Sequence, residues 1–462
     1  MSIHLKHWLP SLTRFLLCAA VLHYVGAAKV QAAEATSVAL TSSVAPADVA
    51  KVEAVLEIGG TLSFKDQQKI KTLPTSVVAK FSYDEKLLQV EGMRRTARNY
   101  RLAEAKYVVD KLETEAKLSD ERRLFLVRAT DAQPELVCPV APLTADELDL
   151  VQIPFNSLLV EQLLPGKEVA PGDSWTHTDV LMAGLLNLDA VSQTTVTSTL
   201  GEIDDAAARI EFKGAINGAI DGVATEIDVN GRYKYDRKLK RVTWLAVLLK
   251  EKRSIGHVEP GLEVQSRLQM TLVPTTEPEV LGNENLNPIV AGSTADALRV
   301  RYNSPDKLFH FDHDRRWHVM ADRGNVLSLR MVDRGELVAQ CNVTSVVVPD
   351  ESRKPTLSQF QADIRRSLDK NFGQFTSVNE AENSLGHTVF RAEAIGVVEE
   401  LEITWIYYLV QDNRGRQTVF AFTCEKPMLE RMAGADEDMI STLQFADPTN
   451  TAQQPTPASV KL

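Results

Sequence analysis

Alternation of apolar and polar residues dominates the first half of the chain. In 262–272, Leu262, Val264, Leu268, Met270 and Leu272 share one parity, and Glu263, Gln265, Arg267, Gln269 and Thr271 the other. Segment 223–235 repeats the pattern, with Val223, Ile227, Val229, Tyr233 and Tyr235 against Glu226, Asp228, Asn230, Arg232 and Lys234. Ile210 and Phe212 alternate likewise with Arg209, Glu211 and Lys213. A period of two means a strand with one dry and one wet face. Segment 242–249, "VTWLAVLL", is apolar at both parities, which predicts cover on each side. Short polar turns join these pieces into a meander of antiparallel strands.

Helical signals interrupt the meander. Thr144 precedes "ADELDLV", Asn156 or Ser157 opens "LLVEQLLP", and Thr178 or Asp179 opens "VLMAGLLNL". Each start carries a side chain able to cap a helix N-terminus. The third helix is apolar nearly all round and must be buried. Segment 93–128 is read as two strands, because "RRLFLVR" is a compact apolar run between charges. A curved sheet with apolar helices against it either fills its own interior or leaves a groove for a lipophilic ligand.

In the second half, Phe309 and Phe311 mark a strand, a polar turn leads to Trp317, and strands follow near 325–331 and 338–348. Thr356 and Gln359 stand in capping-box order. Leu357, Phe360, Ile364, Leu368 and Phe372 form a helical stripe that Gly373 would end. Strands at 375–380, 387–396, 401–410 and 417–424 follow, with Asn413-Arg-Gly415 as a turn, and a last helix runs from Pro427 to about Leu443.

The chain has 462 residues, 44% hydrophobic and 24% charged, which allows two or three domains with real cores. Lys6 and Arg14, the apolar run 15–22 and the small residues ending at Ala33 describe a secretory signal peptide over 1–33. Residues 34–48 read as a flexible lead, 49–273 as a β-rich domain and 274–296 as a linker. Residues 297–445 read as a second domain and 446–462 as a disordered tail. Cleavage near Ala33 removes Lys6, Arg14 and Lys29 and no acid, deepening the net charge from −11 to −14. Such a chain lacks the basic footprint that nucleic acid demands. The expected location is secreted or periplasmic. Cys138, Cys341 and Cys424 lie in apolar surroundings and read as buried small side chains. Whether Cys341 and Cys424 bridge is open.

The order of elements in 297–445 carries a resemblance. A strand ending in an aromatic, a turn, a tryptophan, a hairpin, "TLSQF", "LGHTVFRAEA", a further hairpin, "TVFAFTC" and a closing "ISTLQF" resemble the PsbP-like α/β/α domain. The turn departs from that family's pattern in having no proline before Trp317. The resemblance implies an α/β/α sandwich and a non-enzymatic binding or scaffolding role. The first region is similar in style to the half-barrel of the LolA/LolB lipoprotein carriers. Its stretches "PLTADELDLV", "NSLLVEQLLPGKEVAPGDSW" and "RSIGHVEPGLEVQSRLQM" also resemble secreted proteins of planctomycete-type bacteria, which implies an envelope setting. The fold class is therefore α+β: a half-barrel-like antiparallel sheet with buried helices, then a PsbP-like sandwich.

Chemistry is arguable at one place, "HFDHDRRWH" at 310–318. His310, Asp312 and His318 could converge if the turn folds into a hairpin, giving a three-donor metal site. The spacing matches no standard metal motif, and Arg315 and Arg316 pair naturally with Asp312 and Asp314. A solvated turn above Trp317 is the competing reading. Ser174 and His177 are adjacent in sequence, which is not a triad geometry. The cationic residues Arg237, Lys238, Lys240, Arg241, Lys250, Lys252 and Arg253 could touch an anionic envelope surface. No cofactor motif occurs. The expected function is a non-catalytic envelope binding or scaffold module with an unknown partner. A carrier of a lipophilic ligand is the alternative, and weak metal binding at 310–318 a remote one.

Overall fold

A computed structural model describes residues 37–66, 69–88, 94–130, 133–291, 296–323, 326–347 and 355–446. The signal segment 1–33 and the tail beyond 446 lie outside the described residues.

The meander expected from the alternation is present. Ala207–Ile220, Val223–Asp236, Arg241–Arg253 and Gly261–Pro274 pair antiparallel in sequence order. The last of them pairs with Val49–Asp66, which pairs with Lys69–Leu88, so the sheet continues into the start of the region. Segment 93–128 forms three strands rather than two, Arg95–Val109, Leu112–Lys117 and Leu124–Arg128, because the chain turns at Asp110, where φ is positive. The resulting thirteen-stranded sheet runs from Ser174–Thr176 to Glu135–Val137 without closing into a barrel.

Three short helices fill the sheet's inner face. Thr144 and Glu147 form a capping box at Ala145–Val151, Asn156 caps Ser157–Val160, and Thr178 caps Asp179–Leu186. Leu158, Val160, Leu163, Met182 and Leu185 pack with Phe81, Tyr83, Phe212, Tyr233, Val247 and Met270 in one core. Each fully buried side chain of that size contributes about 2 kcal/mol. The cover expected on both faces of 242–249 is found on one. Val242, Leu245, Val247 and Leu249 are buried, whereas Leu248 on the other face is 38% exposed. The three helices of the inner face leave this stretch of the other face open.

The segment read as a flexible lead and the one read as a linker both carry anchored structure. In the lead, Val38–Ala39 pairs with Glu168–Val169, Leu40 is fully buried, and the Tyr235 hydroxyl donates to Thr41 O at 2.8 Å. In the linker, Glu279–Leu281 is a 3-10 turn and Asn283–Ala291 a helix. Leu281 and Leu286 are buried against Val49, Ala97 and Leu126. Lys86, itself buried, donates to Leu281 O at 2.9 Å and meets Glu277 at 2.7 Å. Sparse apolar anchors in a Pro- and Asn-rich stretch escape a composition argument, yet two leucines suffice to seat it.

The second half forms a seven-stranded antiparallel sheet with Trp317–Arg323 at one edge and Phe372–Glu382 at the other. Its faces carry separate cores. Phe360, Ile364 and Leu368 of the capped helix Leu357–Leu368 pack on Phe390, Ala392, Trp405 and Leu409. Met432, Met439 and Ile440 pack with Ile406, Tyr408, Phe420 and Phe422. Alternation along Leu401–Gln411 sends neighbouring side chains to opposite helices, which is the α/β/α layering. The first helix stops earlier than its stripe implied. Asp369 takes φ +47°, and Phe372 opens the edge strand instead of ending the helix at Gly373. The last helix is broken at Ala433 and Gly434, both with positive φ, into Leu429–Met432 and Ala435–Ser441.

The two halves share a small sheet. Leu143–Thr144 runs parallel to Val300–Asn303, which pairs with Phe309–His313, which pairs with Gln444–Phe445. The fold is thus mixed and mainly antiparallel. Among the described residues no helix is long and apolar enough to cross a membrane.

Candidate functional site

The 310–318 stretch does not form a hairpin. Phe309–His313 belongs to the small sheet, and Trp317–Arg323 to the edge of the seven-stranded sheet. A tight turn, closed by Trp317 N–H donating to Asp314 O at 3.0 Å, redirects the chain from one sheet to the other. His310 and His318 therefore do not face each other across a ladder. The backbone neighbours of His310 are Asn303 and Gln444, and that of His318 is Arg330.

Asp312, His313, Asp314 and both arginines of the stretch each have their own partner. Asp312 accepts from Arg301 Nε at 2.7 Å and Nη2 at 2.9 Å, a forked pair that fills the carboxylate. Arg316 pairs with Asp314 at 3.0 Å, as expected, but Arg315 spends its guanidinium on the carbonyls of Leu298 and Leu136, both at 2.7 Å. His313 is buried, with Nδ1 2.8 Å from Asp314 O, and burial lowers its pKa from the ordinary value. His310 is half-buried, and burial with the nearby Arg301 charge lowers it too. Trp317 is packed edge-on against Phe422. Of the three residues expected to ligate a metal, Asp312 is held by Arg301, and His310 lies on a different sheet from His318.

His318 joins a different group. Its Nε2 lies 3.9 Å from Asp221 Oδ2. One donor atom from each of Asp221, Glu259 and His318 falls within 4.8 Å of the other two, all three side chains being half-buried. Asp221 sits on the two-residue tip between Ile220 and Val223 and takes φ +47°. Its N–H donates to Asp189 Oδ2 at 2.5 Å, and Gln133 Nε2 donates to Asp189 Oδ1 at 2.7 Å. Glu259 lies in the loop between Arg241–Arg253 and Gly261–Pro274, with Arg253 donating to Oε2 at 2.6 Å. Burial raises the Glu259 pKa from the ordinary value, Arg253 opposes this, and Asp221 adds to it. Arg330 fastens the same loop by donating to His257 O at 2.8 Å. Sequence reading found His318 and missed both carboxylates. Asp221 carries only the signal of a hairpin tip, and Glu259 that of a loop.

A second polar group lies at the other end of the large sheet. His177 is buried, with Nε2 2.7 Å from Ser198 Oγ, and Tyr233 donates to Leu163 O at 2.9 Å. Burial lowers the His177 pKa to about 4. Ser198 is completely covered. Ser174, the serine nearest His177 in sequence, faces Thr199 instead at 2.8 Å. Beside this group opens a cleft of about 680 Å³ lined by Gln162, Leu164, Lys167, Trp175, His177 and Leu181.

The basic residues of 237–253 do not present one surface. Arg237 donates to Asp204 O at 2.7 Å, Arg241 is buried, and Arg253 is shared by Glu251 and Glu259, each at 2.6 Å. Cys138, Cys341 and Cys424 are free and buried.

No protein-family model matches the chain, and the search of curated proteins found no match. Among solved structures, cyanobacterial PsbP (CyanoP) from Synechocystis sp. PCC 6803 overlaps 34% of this chain and 97% of its own, at 13% identity and TM-score 0.27. A protein from Bacteroides thetaiotaomicron overlaps 32% of this chain at 12% identity and TM-score 0.25, and the chain spans about half, 49%, of that protein's length. A porin of Rh. blastica overlaps 81% of this chain at 8% identity and TM-score 0.12. Scores this low assign neither half to a family, and the resemblance to planctomycete-type secreted proteins has no counterpart among these matches.

Proposed function

We propose that this chain is a secreted or periplasmic, non-catalytic binding module whose protein partner docks as an extended segment along the rim strand Trp317–Arg323. The observation that carries this reading is the exposed apolar edge. The strand pairs only with Val326–Asp333 among the described residues, and Val319 and Met320 are 41% and 38% exposed. The strand carries two of the usual blunting devices, a bulge at Met320 and the charges of Asp322 and Arg323, so strand addition is confined to the stretch where Val319 and Met320 stay exposed. Next to it a cleft of about 260 Å³, lined by Tyr302, Leu308, Phe309, Val326 and Leu327, offers room for an incoming side chain.

The non-catalytic part of the reading is supported by how the polar groups are used. Asp312 is forked to Arg301, and Ser198 is sealed beneath His177. The carrier reading has less room where three helices pack on the inner face, and a cleft of about 470 Å³ at Gly59, Ile227 and Val264 stays open to it. It also keeps the polar-rimmed cleft beside Trp175 and His177.

A photo-crosslinking residue at Met320 tests the docking surface in an envelope fraction, with the same residue at Lys80 on the large sheet as control. A discrete adduct from position 320 and none from 80 is the expected result. No adduct from 320, or equal adducts from both, overturns the docking surface. Co-purified lipid recovered by solvent extraction would instead favour the carrier.

A further inference from the structure

We propose that Asp221, Glu259 and His318 form a binding site for a divalent transition metal of the zinc class, fastening two loops of the large sheet to the rim strand of the second sheet. The inference is independent of the docking partner. It rests on the convergence of three donors from separate parts of the chain, with one donor atom from each within 4.8 Å of the others.

The donor set selects the metal. One imidazole and two carboxylates suit zinc and its neighbours, whereas calcium and magnesium take all-oxygen shells. Zinc holds such donors at about 2.0–2.2 Å, so a contraction of the triad by about 1 Å closes the site. Two of the three groups can supply that movement. Asp221 is on a hairpin tip and Glu259 on a loop, outside the strand ladders. Three protein donors leave a further position for water.

The surroundings favour a cation. Asp221 and Glu259 repel each other in a half-buried setting, and Asp189 lies directly behind Asp221. Arg253 is the cation in direct contact with the group. It approaches Oε2 of Glu259 and is shared with Glu251, which leaves Oε1 outside that contact. The bond from the Asp221 N–H to Asp189, itself held by Gln133, fixes the tip on which the first ligand stands. Such orienting contacts behind a ligand are the normal support of a metal site. A bound ion would join the tip at Asp221, the loop at Glu259 and the strand at His318, and would restrain the two halves at that point.

The test uses the full chain, stripped with chelator and dialysed against Zn²⁺ alone. Bound metal is counted by mass spectrometry, and affinity is measured by titration calorimetry. Co²⁺ serves as a visible probe of coordination. One equivalent of zinc, a d–d spectrum of four- or five-coordinate cobalt, and a higher melting temperature with metal are expected. His318→Ala and Asp221→Asn should each weaken binding at least tenfold, while His310→Ala leaves it unchanged. Asp221→Asn keeps the shape of the tip, so its metal-free melting temperature should match the parent. Sub-stoichiometric zinc in the parent, or undiminished binding in both site variants, overturns the proposal and leaves His318 and Asp221 as a polar contact.

Discussion

Gly222 and Gly335 meet backbone to backbone where a hairpin tip of the large sheet touches one of the second sheet. A Cβ built on Gly222 would lie 2.1 Å from the Cα of Gly335, and both glycines have positive φ, +72° and +79°. Gly222→Ala should therefore cost about 2 to 3 kcal/mol, from backbone strain and from forcing the tips apart. Gly386, at φ +76° with open space around it, is the control, and Gly386→Ala should cost about 1 kcal/mol. Urea denaturation measures both. Faster amide exchange at Asp221 in the Gly222 variant, and not in the Gly386 variant, would show that the tip contact is what was lost.

Arg301 and Asp312 form the ion pair that replaced the expected metal ligation. Asp312 is buried while Arg301 is about a quarter exposed, so solvent screens part of the pair. Arg301→Ala should cost about 2 kcal/mol, because it strands a buried carboxylate. Replacing both, by Arg301→Met with Asp312→Leu, should recover much of that loss. A single variant as stable as the parent in thermal melts would show that the pair is idle.

His177 should make the fold acid-sensitive. Its pKa falls from 6.5 to about 4 on folding, by burial. Between those values the unfolded chain binds the proton and the folded chain does not, so stability drops as pH falls below about 6.5. The loss approaches on the order of 3 kcal/mol near pH 4. His310, His313 and His387 are lowered by burial as well and act in the same direction. His177→Gln should therefore shrink, without abolishing, the difference between urea midpoints at pH 7 and pH 5. An unchanged difference would place the sensitivity elsewhere.

Leu185 tests whether the large sheet is filled rather than open. It is fully buried in the core formed by the three helices and the inner strands. Leu185→Ala should cost about 2 to 5 kcal/mol by leaving a cavity that the surrounding strands cannot close. A cost below about 1 kcal/mol would mean that the helix sits in a yielding groove, and would revive a lipophilic ligand there.

Local signals carried much of the fold. The alternation in 223–235 and 262–272 marked strands that the structure contains, and the pairs Thr144–Glu147 and Thr356–Gln359 marked helix starts that it caps. These features depend on residues a few positions apart, where geometry is fixed by the period of the element. The two long strands Val49–Asp66 and Lys69–Leu88 were harder to read. Val55 and Ile58 put apolar side chains on both parities, and the glycines at 59 and 60 blur the pattern. The stripe through Phe372 misled for a related reason. An aromatic three or four positions beyond a helix continues its pattern on paper even when a residue such as Asp369 has already turned the chain away.

What the sequence determined by itself is those elements with a clear period or cap, such as the strands in 223–235 and 262–272 and the helices opened at Thr144 and Thr356, because period and capping act within one element. What only the tertiary structure decided is which distant pieces meet. The turn 310–318 holds three histidines and two aspartates, yet its two ends enter different sheets. Asp312 therefore finds Arg301, and His318 finds Asp221 and Glu259. Donors brought together across sheets leave no spacing to read, since their distance is set by how the sheets pack rather than by the rise of one strand.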